Sequence, residues 1–246
     1  MSEDKYDLDL FIENSFNETI DYLKKNNIRI GRLSLRTFES LEKFQQIYKT
    51  NEKFEFARYV SEKSEIQIIK NRIKRLINGE FNNPNKIFIG NLFTITQNGI
   101  LYPVYKNNDD IEKIIAKASV EPIVIHEIGH HIVGQGDWKA CAFEFLVYFY
   151  KNELYKYPEV YEIIEENVEI CKRHLQEKDP NPSTLGACFT NDLIYIYENL
   201  LNKDKQSPKL NIKDTIEKLK YFSEDEYIDA TKMFNTLTKI LMLLYE

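Results

Sequence analysis

Two histidines bracket a glutamate near the middle of the chain, in the segment HEIGH at residues 126 to 130. On an α-helix His126 and His130 lie one turn apart on the same face, so each can direct one ring nitrogen at the same cation. Glu127 follows the first histidine, where it can take a proton from a metal-activated water and pass it to a leaving amine. The spacing predicts a zinc site in which Glu127 is the general base and acid.

The alternative to a zinc site is a helix whose histidine pair is hydrogen-bonded in the core, or a metal site without activity. The chain has four histidines among 246 residues, so the HExxH pattern is expected by chance roughly 0.01 times, which favours the metal site. His131 is five residues from His126 and should point away from the metal face. We expect His131 to be a surface or hydrogen-bonding residue and not a ligand.

A zinc ion needs a third protein ligand, and two acids in the following segment, Asp137 and Glu144, are candidates. If the two helices form a hairpin centred near Gln135, Glu144 lies close to the level of HEIGH and Asp137 lies at the turn. Glu144 also stands among apolar residues, where an ionised carboxylate is costly to bury unless it meets a cation. Each acid also has an interpretation without a metal. Glu144 would lie on a solvent-exposed helix face, and Asp137 would be the N-cap of the second helix.

The same segment resembles a known family. HEIGH followed by DWKACAFEF, residues 137 to 145, looks like the zincin metallopeptidases and most like the ImmA/IrrE type, whose second helix has the pattern E-x-x-A-[N/D]-x-F-A. Aligned on Ala140 and Phe143, the ligand acid of that pattern falls on Asp137, and Cys141 stands where Asn or Asp is usual. The resemblance covers about residues 118 to 150. It implies a zinc-dependent peptidase fold and an extended substrate paired with a strand within residues 86 to 96.

Hydrophobic periodicity predicts the elements before this segment. Helical spacing occurs over residues 8–26, around 37–48 and over 52–78. Residues 86–105 are rich in β-formers, and Asn98-Gly99 is a dipeptide favoured in tight hairpin turns, which together predict a small antiparallel sheet.

The elements that position the predicted ligands follow from helix start and stop signals. A short helix is expected over NNDDIEKIIAKA, residues 107 to 118, and a new helix should begin at Pro122 and end near Val133. The next helix should run from Asp137 to about Tyr157. Further helical patterns occupy residues 159–178, 184–202 and 212–245.

These patterns predict an α+β, mostly helical fold. It would consist of a zincin-like catalytic core with a small antiparallel sheet, an HExxH helix packed on a second ligand-bearing helix, and additional C-terminal helices. We expect a metallopeptidase domain over residues 1–178 and a C-terminal helical extension over 179–246, packed on the same domain.

The composition limits the class of protein. The chain has 33 Lys and Arg against 39 Asp and Glu, a net charge of -6, so nucleic acid is not expected as a direct partner. It has neither a secretory start nor a long uncharged apolar segment, which predicts a cytoplasmic protein without a membrane partner. The cysteines at positions 141, 171 and 188 lack CxxC spacing and are expected to be reduced packing residues.

The functional hypothesis is a zinc-dependent metallopeptidase that acts on a peptide or protein substrate. A second donor should stabilise the oxyanion, and Tyr148 and His174 are candidates for it, although a structural role is the preferred interpretation of each. The alternative is a regulatory zincin-like protein, as the family resemblance suggests, that acts by partner binding or by limited cleavage of a regulator. A helical protein without metal is the third possibility, and the sequence makes no prediction of an oligomeric state.

Overall fold

The computed structural model describes residues 7–54, 56–78, 87–89, 93–95, 111–153 and 211–221. Over these ranges the fold is α+β and mostly helical, as predicted. The described residues fall into two compact units, one that ends at residue 131 and one that begins at residue 132. The boundary expected near residue 178 lies outside the described residues.

The first unit contains most of the regular elements. In chain order they are α1 (Leu8–Lys25), β1 (Ser34–Phe38), α2 (Leu41–Tyr48), β2 (Ala57–Val60), a 3-10 turn (Ser61–Lys63), β3 (Glu65–Ile69), α3 (Lys70–Ile77), β4 (Ile87–Ile89), β5 (Phe93–Ile95) and α4 (Ile111–Val133), whose last two residues belong to the second unit. The second unit continues with α5 (Asp137–Lys151) and α6 (Ile212–Lys220). The helices predicted over 8–26 and around 37–48 are therefore present, the second of them after a strand.

Two strands of a three-stranded sheet occupy residues for which a helix was predicted. β3 lies in the centre, with β1 parallel on one side and β2 antiparallel on the other. The prediction of a helix over 52–78 is wrong for β2 and β3 and right only for α3. Because Ile66, Ile68 and Ile69 are all buried, β3 lacks the alternation of a half-exposed strand, and a short apolar run fits a helix equally well.

The two faces of this sheet are covered differently. On one face α2 packs through a buried cluster of Phe38, Leu41, Phe44 and Ile69. Gln67 is buried on the same face, where its amide accepts a hydrogen bond from Arg58 at 2.8 Å and donates one to the Tyr48 hydroxyl at 3.2 Å. These bonds satisfy a polar group that would otherwise be costly to bury.

Helix α1 is tied to the other side of the sheet and to α3. Thr37 in β1 donates a hydrogen bond to Asp9 in α1 at 3.2 Å, and Lys70 at the start of α3 forms ion pairs with Asp9 at 2.7 Å and with Glu39. Burial disfavours the charged ammonium, but the hydrogen bonds and charges of the two acids outweigh it and raise the pKa of Lys70. This ion pair network fixes three elements around β1.

The strands β4 and β5 form the antiparallel pair expected over 86–105, but with a different turn. Their register joins Ile87 to Ile95 and Ile89 to Phe93, so residues 90–92 connect them. The turn predicted at Asn98-Gly99 is therefore not the turn of this pair, and residues 98 and 99 lie outside the described residues.

Helix α4 runs through Pro122, so the prediction of a break there is wrong. A proline within a helix removes one hydrogen bond and crowds the preceding turn, at a cost of about 3 kcal/mol. Against this, Val120, Val124, Ile125 and Ile128 are completely buried, and each such side chain contributes about 1.5–3 kcal/mol. Burial on both sides of Pro122 outweighs the local cost, and HEIGH lies in the second half of one long helix.

Helix α5 begins at Asp137, as predicted, but ends at Lys151 instead of near Tyr157. Its C-cap is Asn152, whose side chain donates a hydrogen bond to the Tyr148 carbonyl at 3.1 Å. Glu153 follows with a φ of 52°, which a helix cannot continue. Residues 159–178, 184–202 and 222–245 lie outside the described residues, whereas the predicted helix from residue 212 is present as α6. None of the helices in the described ranges has the length and apolar character needed to cross a bilayer.

Candidate metal centre

The predicted motif lies on α4 with the geometry that its spacing requires. His126 and His130 are partly buried and one turn apart, with ring centroids 4.8 Å from each other and an angle of 82° between the rings. Glu127 lies between them in sequence and is only 7% exposed. The helical context that HEIGH needs is present, and the two rings lie edge to face on one side of the helix.

The packing of α4 explains why these side chains face the same way. Val124, Ile125 and Ile128 are completely buried. Because helical positions three and four apart share a face, this apolar stripe fixes the rotation of the helix. His126 and His130 then lie beside the buried stripe, partly open to solvent.

The described residues form two groups of side chains with metal-ligand chemistry. In the first, donor atoms of His126, His130 and Asp137 all lie within 4.8 Å of one another; in the second, donor atoms of His126, Cys141 and Glu144 do so. Within the described ranges, no such group combines both histidines with Glu144. The two acids are seven residues apart on α5, about 10 Å along its axis, which accounts for their separation into different groups.

Asp137 and Glu144 differ in their surroundings on α5. Asp137 is exposed and is the first residue of the helix, because the N-cap is Gly136. Asp137 is thus not the N-cap that the alternative interpretation proposed. Its carboxylate in the first turn still interacts favourably with the positive end of the helix dipole. Glu144 is only 9% exposed and Tyr148 is buried, so the solvent-exposed face considered for Glu144 is not present.

The two groups offer different donor sets: two imidazoles and a carboxylate in the first, and an imidazole, a thiol and a carboxylate in the second. Two imidazole nitrogens and one carboxylate oxygen are a donor set that catalytic zinc sites use, with a further coordination position left open. Ligand atoms around tetrahedral zinc lie about 3.3–3.6 Å apart, a spacing that falls within the 4.8 Å limit inside which the donor atoms of this group lie. The second group would bury its ion beside Cys141, a buried thiol, and leave His130 outside the set.

His131 is a hydrogen-bonding residue, as predicted, and its partner comes from the sheet. Its Nδ1 and the hydroxyl of Tyr59 in β2 share a hydrogen bond of 2.8 Å, and the two rings lie edge to face with centroids 5.4 Å apart. Burial of the imidazole lowers the pKa of His131 below its ordinary value of 6.5. His131 belongs to neither of the metal-ligand groups within the described residues.

The lowered pKa of His131 predicts an acid-dependent loss of stability. The unfolded chain binds a proton at His131 near pH 6.5 and the folded chain binds it only at lower pH, so folding excludes this proton. Its stabilising contribution is therefore complete above pH 6.5 and is lost as the pH falls through the folded pKa. We expect His131→Gln, measured by urea unfolding of metal-free protein between pH 8 and pH 5, to show a weaker pH dependence than wild type. Equal pH dependence in the two proteins would contradict the prediction.

Two features of this region were not found from the sequence. Cys141 was predicted to be a packing residue, and it is buried, but its sulfur also lies among possible metal ligands. Tyr59 could not be distinguished from the other tyrosines of the chain, because its partner His131 is 72 residues away. Of the two candidates for the oxyanion donor, Tyr148 is buried in α5, and His174 lies outside the described residues.

Comparison with known proteins does not add a family. No protein-family model, no curated protein and no solved structure matches the chain.

Proposed function

We propose that the protein is a zinc-dependent metallopeptidase that hydrolyses peptide bonds with Glu127 as general base. The observation on which this proposal depends is the arrangement on α4, where two histidine rings one turn apart flank a nearly buried glutamate. A pair of imidazoles at this spacing suits a single cation, and a carboxylate beside it suits proton transfer. The resemblance of residues 118 to 150 to the zincins, and most to the ImmA/IrrE type, agrees with this chemistry.

His126, His130 and Asp137 would hold the zinc ion, since their donor atoms lie within 4.8 Å of one another. Glu144 is the alternative third ligand, through its group with His126. When bound, zinc would polarise the scissile carbonyl and make the attacking water more acidic. His126 and His130 on α4 are partly exposed and Asp137 on α5 is exposed, as a site that receives a peptide requires.

Glu127 would perform the proton transfers. Its carboxylate takes a proton from the water as the oxygen attacks the carbonyl carbon, and it returns that proton to the amine as the carbon–nitrogen bond breaks. Because Glu127 is 7% exposed, little bulk water competes for its hydrogen bonds, and its interactions are stronger than in open solvent. One water is consumed, and its oxygen and two protons end in the products, a carboxylate and a protonated amine.

Metal analysis of the purified full chain tests the proposal and identifies the third ligand. We expect close to one zinc per chain after gentle purification, a zinc content that is strongly reduced in Asp137→Asn, and one that is nearly unchanged in Glu144→Gln. Both substitutions keep the size of the side chain and remove its charge, so they form a matched pair. The reason for the difference is that Asp137 shares a donor group with both histidines, whereas Glu144 shares one with His126 alone.

Other outcomes of the same measurement have clear meanings. A reduced zinc content in Glu144→Gln with a normal content in Asp137→Asn would assign the ligand to Glu144. Less than about 0.3 zinc per chain in the wild type would contradict the metallopeptidase, because a zinc site of this kind retains its ion. That result would favour a helical protein without metal.

A further inference from the structure

The hydrogen bond between Tyr59 and His131 joins the sheet of the first unit to the segment of α4 that contains HEIGH. Tyr59 is in β2, whose register with β3 is fixed by four residue pairs from Ala57 to Val60. His131 directly follows His130, and on a helix successive residues are 100° apart. A contact at His131 therefore restrains the rotation and position of the helical turn that presents His130.

Two contacts join His131 to Tyr59. The hydroxyl and Nδ1 are 2.8 Å apart. The two rings also pack edge to face, at a centroid distance of 5.4 Å. Gly31, in the loop between α1 and β1, lies near Nε2 of the same imidazole, since a Cβ added to Gly31 would be 3.8 Å from that atom. The His131 ring therefore contacts β2 and lies near a loop of the same unit.

The strand that presents Tyr59 is anchored through its neighbour Arg58. Arg58, the preceding residue, points to the opposite face of the sheet, where it hydrogen-bonds to Gln67 at 2.8 Å and to Glu52 at 2.6 Å. Its guanidinium also lies over the rings of Phe44 and Phe54, at 4.6 and 5.0 Å from their centroids. With its neighbour anchored in this way, Tyr59 has little freedom to follow a displaced helix.

From this geometry we infer that Tyr59 and His131 are positioning residues that align His130 with His126 for metal binding. The inference rests on the proposed function, because it assigns these two residues a part in that same site. Neither residue is a metal ligand; each acts through the position of α4. Supporting groups of this kind change metal affinity by about 10–100-fold when they are removed.

The test compares Tyr59→Phe with a matched control in the full chain. Tyr59→Phe keeps the ring and removes the hydroxyl; Tyr48→Phe removes a hydroxyl that hydrogen-bonds to Arg36 at 3.0 Å and to Gln67 at 3.2 Å, on the opposite face of the sheet. Cobalt(II), which has visible bands that report coordination geometry, is the probe. We expect Tyr59→Phe to weaken cobalt binding about tenfold and to alter its spectrum, and Tyr48→Phe to change neither.

A second pair of variants separates positioning from a general loss of stability. His131→Asn provides an amide near the position of Nδ1 that can still hydrogen-bond to the Tyr59 hydroxyl, and His131→Ala does not. We expect the asparagine variant to bind cobalt nearly as tightly as wild type, and the alanine variant to resemble Tyr59→Phe. Cobalt binding by Tyr59→Phe that equals that of Tyr48→Phe would overturn the inference and leave the contact with a packing role only.

Hydrogen exchange distinguishes failure of the inference from failure of the proposed function. If the wild type binds no cobalt or zinc, the metallopeptidase proposal is wrong, and the restraint on α4 can still be measured in the metal-free chain. Amides of residues 126–133 should exchange faster in Tyr59→Phe than in Tyr48→Phe. Equal exchange rates in the two variants would show that the hydrogen bond does not restrain this turn.

Discussion

Replacing Glu127 by glutamine is expected to abolish most peptide hydrolysis while the protein still binds zinc. Glutamine has nearly the same size as glutamate but cannot accept the proton of the attacking water, and loss of a general base costs about 100- to 10,000-fold in rate. Glu127 is nearly buried next to a possible ligand, His126, so no solvent carboxylate replaces it easily. The measurement is the rate of hydrolysis of a quenched fluorescent peptide library at fixed enzyme concentration, with zinc content determined on the same sample.

The control for Glu127→Gln is Glu13→Gln, an exposed position on α1, which should leave both the rate and the zinc content unchanged. Glu127→Gln with an unchanged rate would contradict the role of general base. Biological activity that is fully retained in cells by a zinc-loaded Glu127→Gln protein would reject the hydrolase. It would favour the regulatory alternative, in which the protein acts by binding a partner.

The helices near the site could be predicted from the sequence because their signals are local. The breakers GQG at residues 134 to 136 separate two apolar helical patterns, and the structure ends α4 at Val133 and begins α5 at Asp137. Gly134 has a φ of 101°, a conformation that glycine adopts without strain. The break expected at Pro122 is absent because burial of α4 outweighs the local preference of proline, and burial depends on tertiary packing.

The three-stranded sheet was missed for a physical reason that applies to short buried strands in general. β1 and β3 are parallel, and residues 39–64 lie between the end of β1 and the start of β3. No tight turn therefore marks their pairing. Ile66, Ile68 and Ile69 lie on both faces of β3 and are all buried. Such a segment has neither the alternation of an amphipathic strand nor the length that identifies a helix.

The candidate site divides in the same way into local and long-range parts. His126, Glu127 and His130 follow from a four-residue spacing on one helix, which sequence alone expresses. The choice between Asp137 and Glu144 depends on how far each side chain reaches toward the histidines. The prediction from a helical hairpin compared only the positions of the two residues along the second helix. The Tyr59–His131 bond joins residues 72 positions apart, and no periodic pattern encodes such a pairing.

Alanine in place of either His126 or His130 is expected to weaken zinc binding by more than about 100-fold. This exceeds the effect of removing a group that only supports a ligand, which is at most about 100-fold. Each substitution removes one of only two imidazole donors, and the remaining histidine and acid cannot complete a tetrahedral site. Both rings are partly exposed, so their removal should cost little folding stability. Zinc affinity would be measured by competition with a chromophoric chelator, and folding by circular dichroism.

The pair of histidine variants also discriminates between the two donor groups. His126 belongs to both groups, whereas His130 belongs only to the group with Asp137. If zinc occupies that group, His126→Ala and His130→Ala should be equally damaging, and His131→Asn should be close to wild type. A folded His130→Ala protein that still binds zinc tightly while His126→Ala does not would place the ion with Cys141 and Glu144. In that case Glu127 would no longer lie between two ligands, and the proposed proton transfer would lose its structural basis.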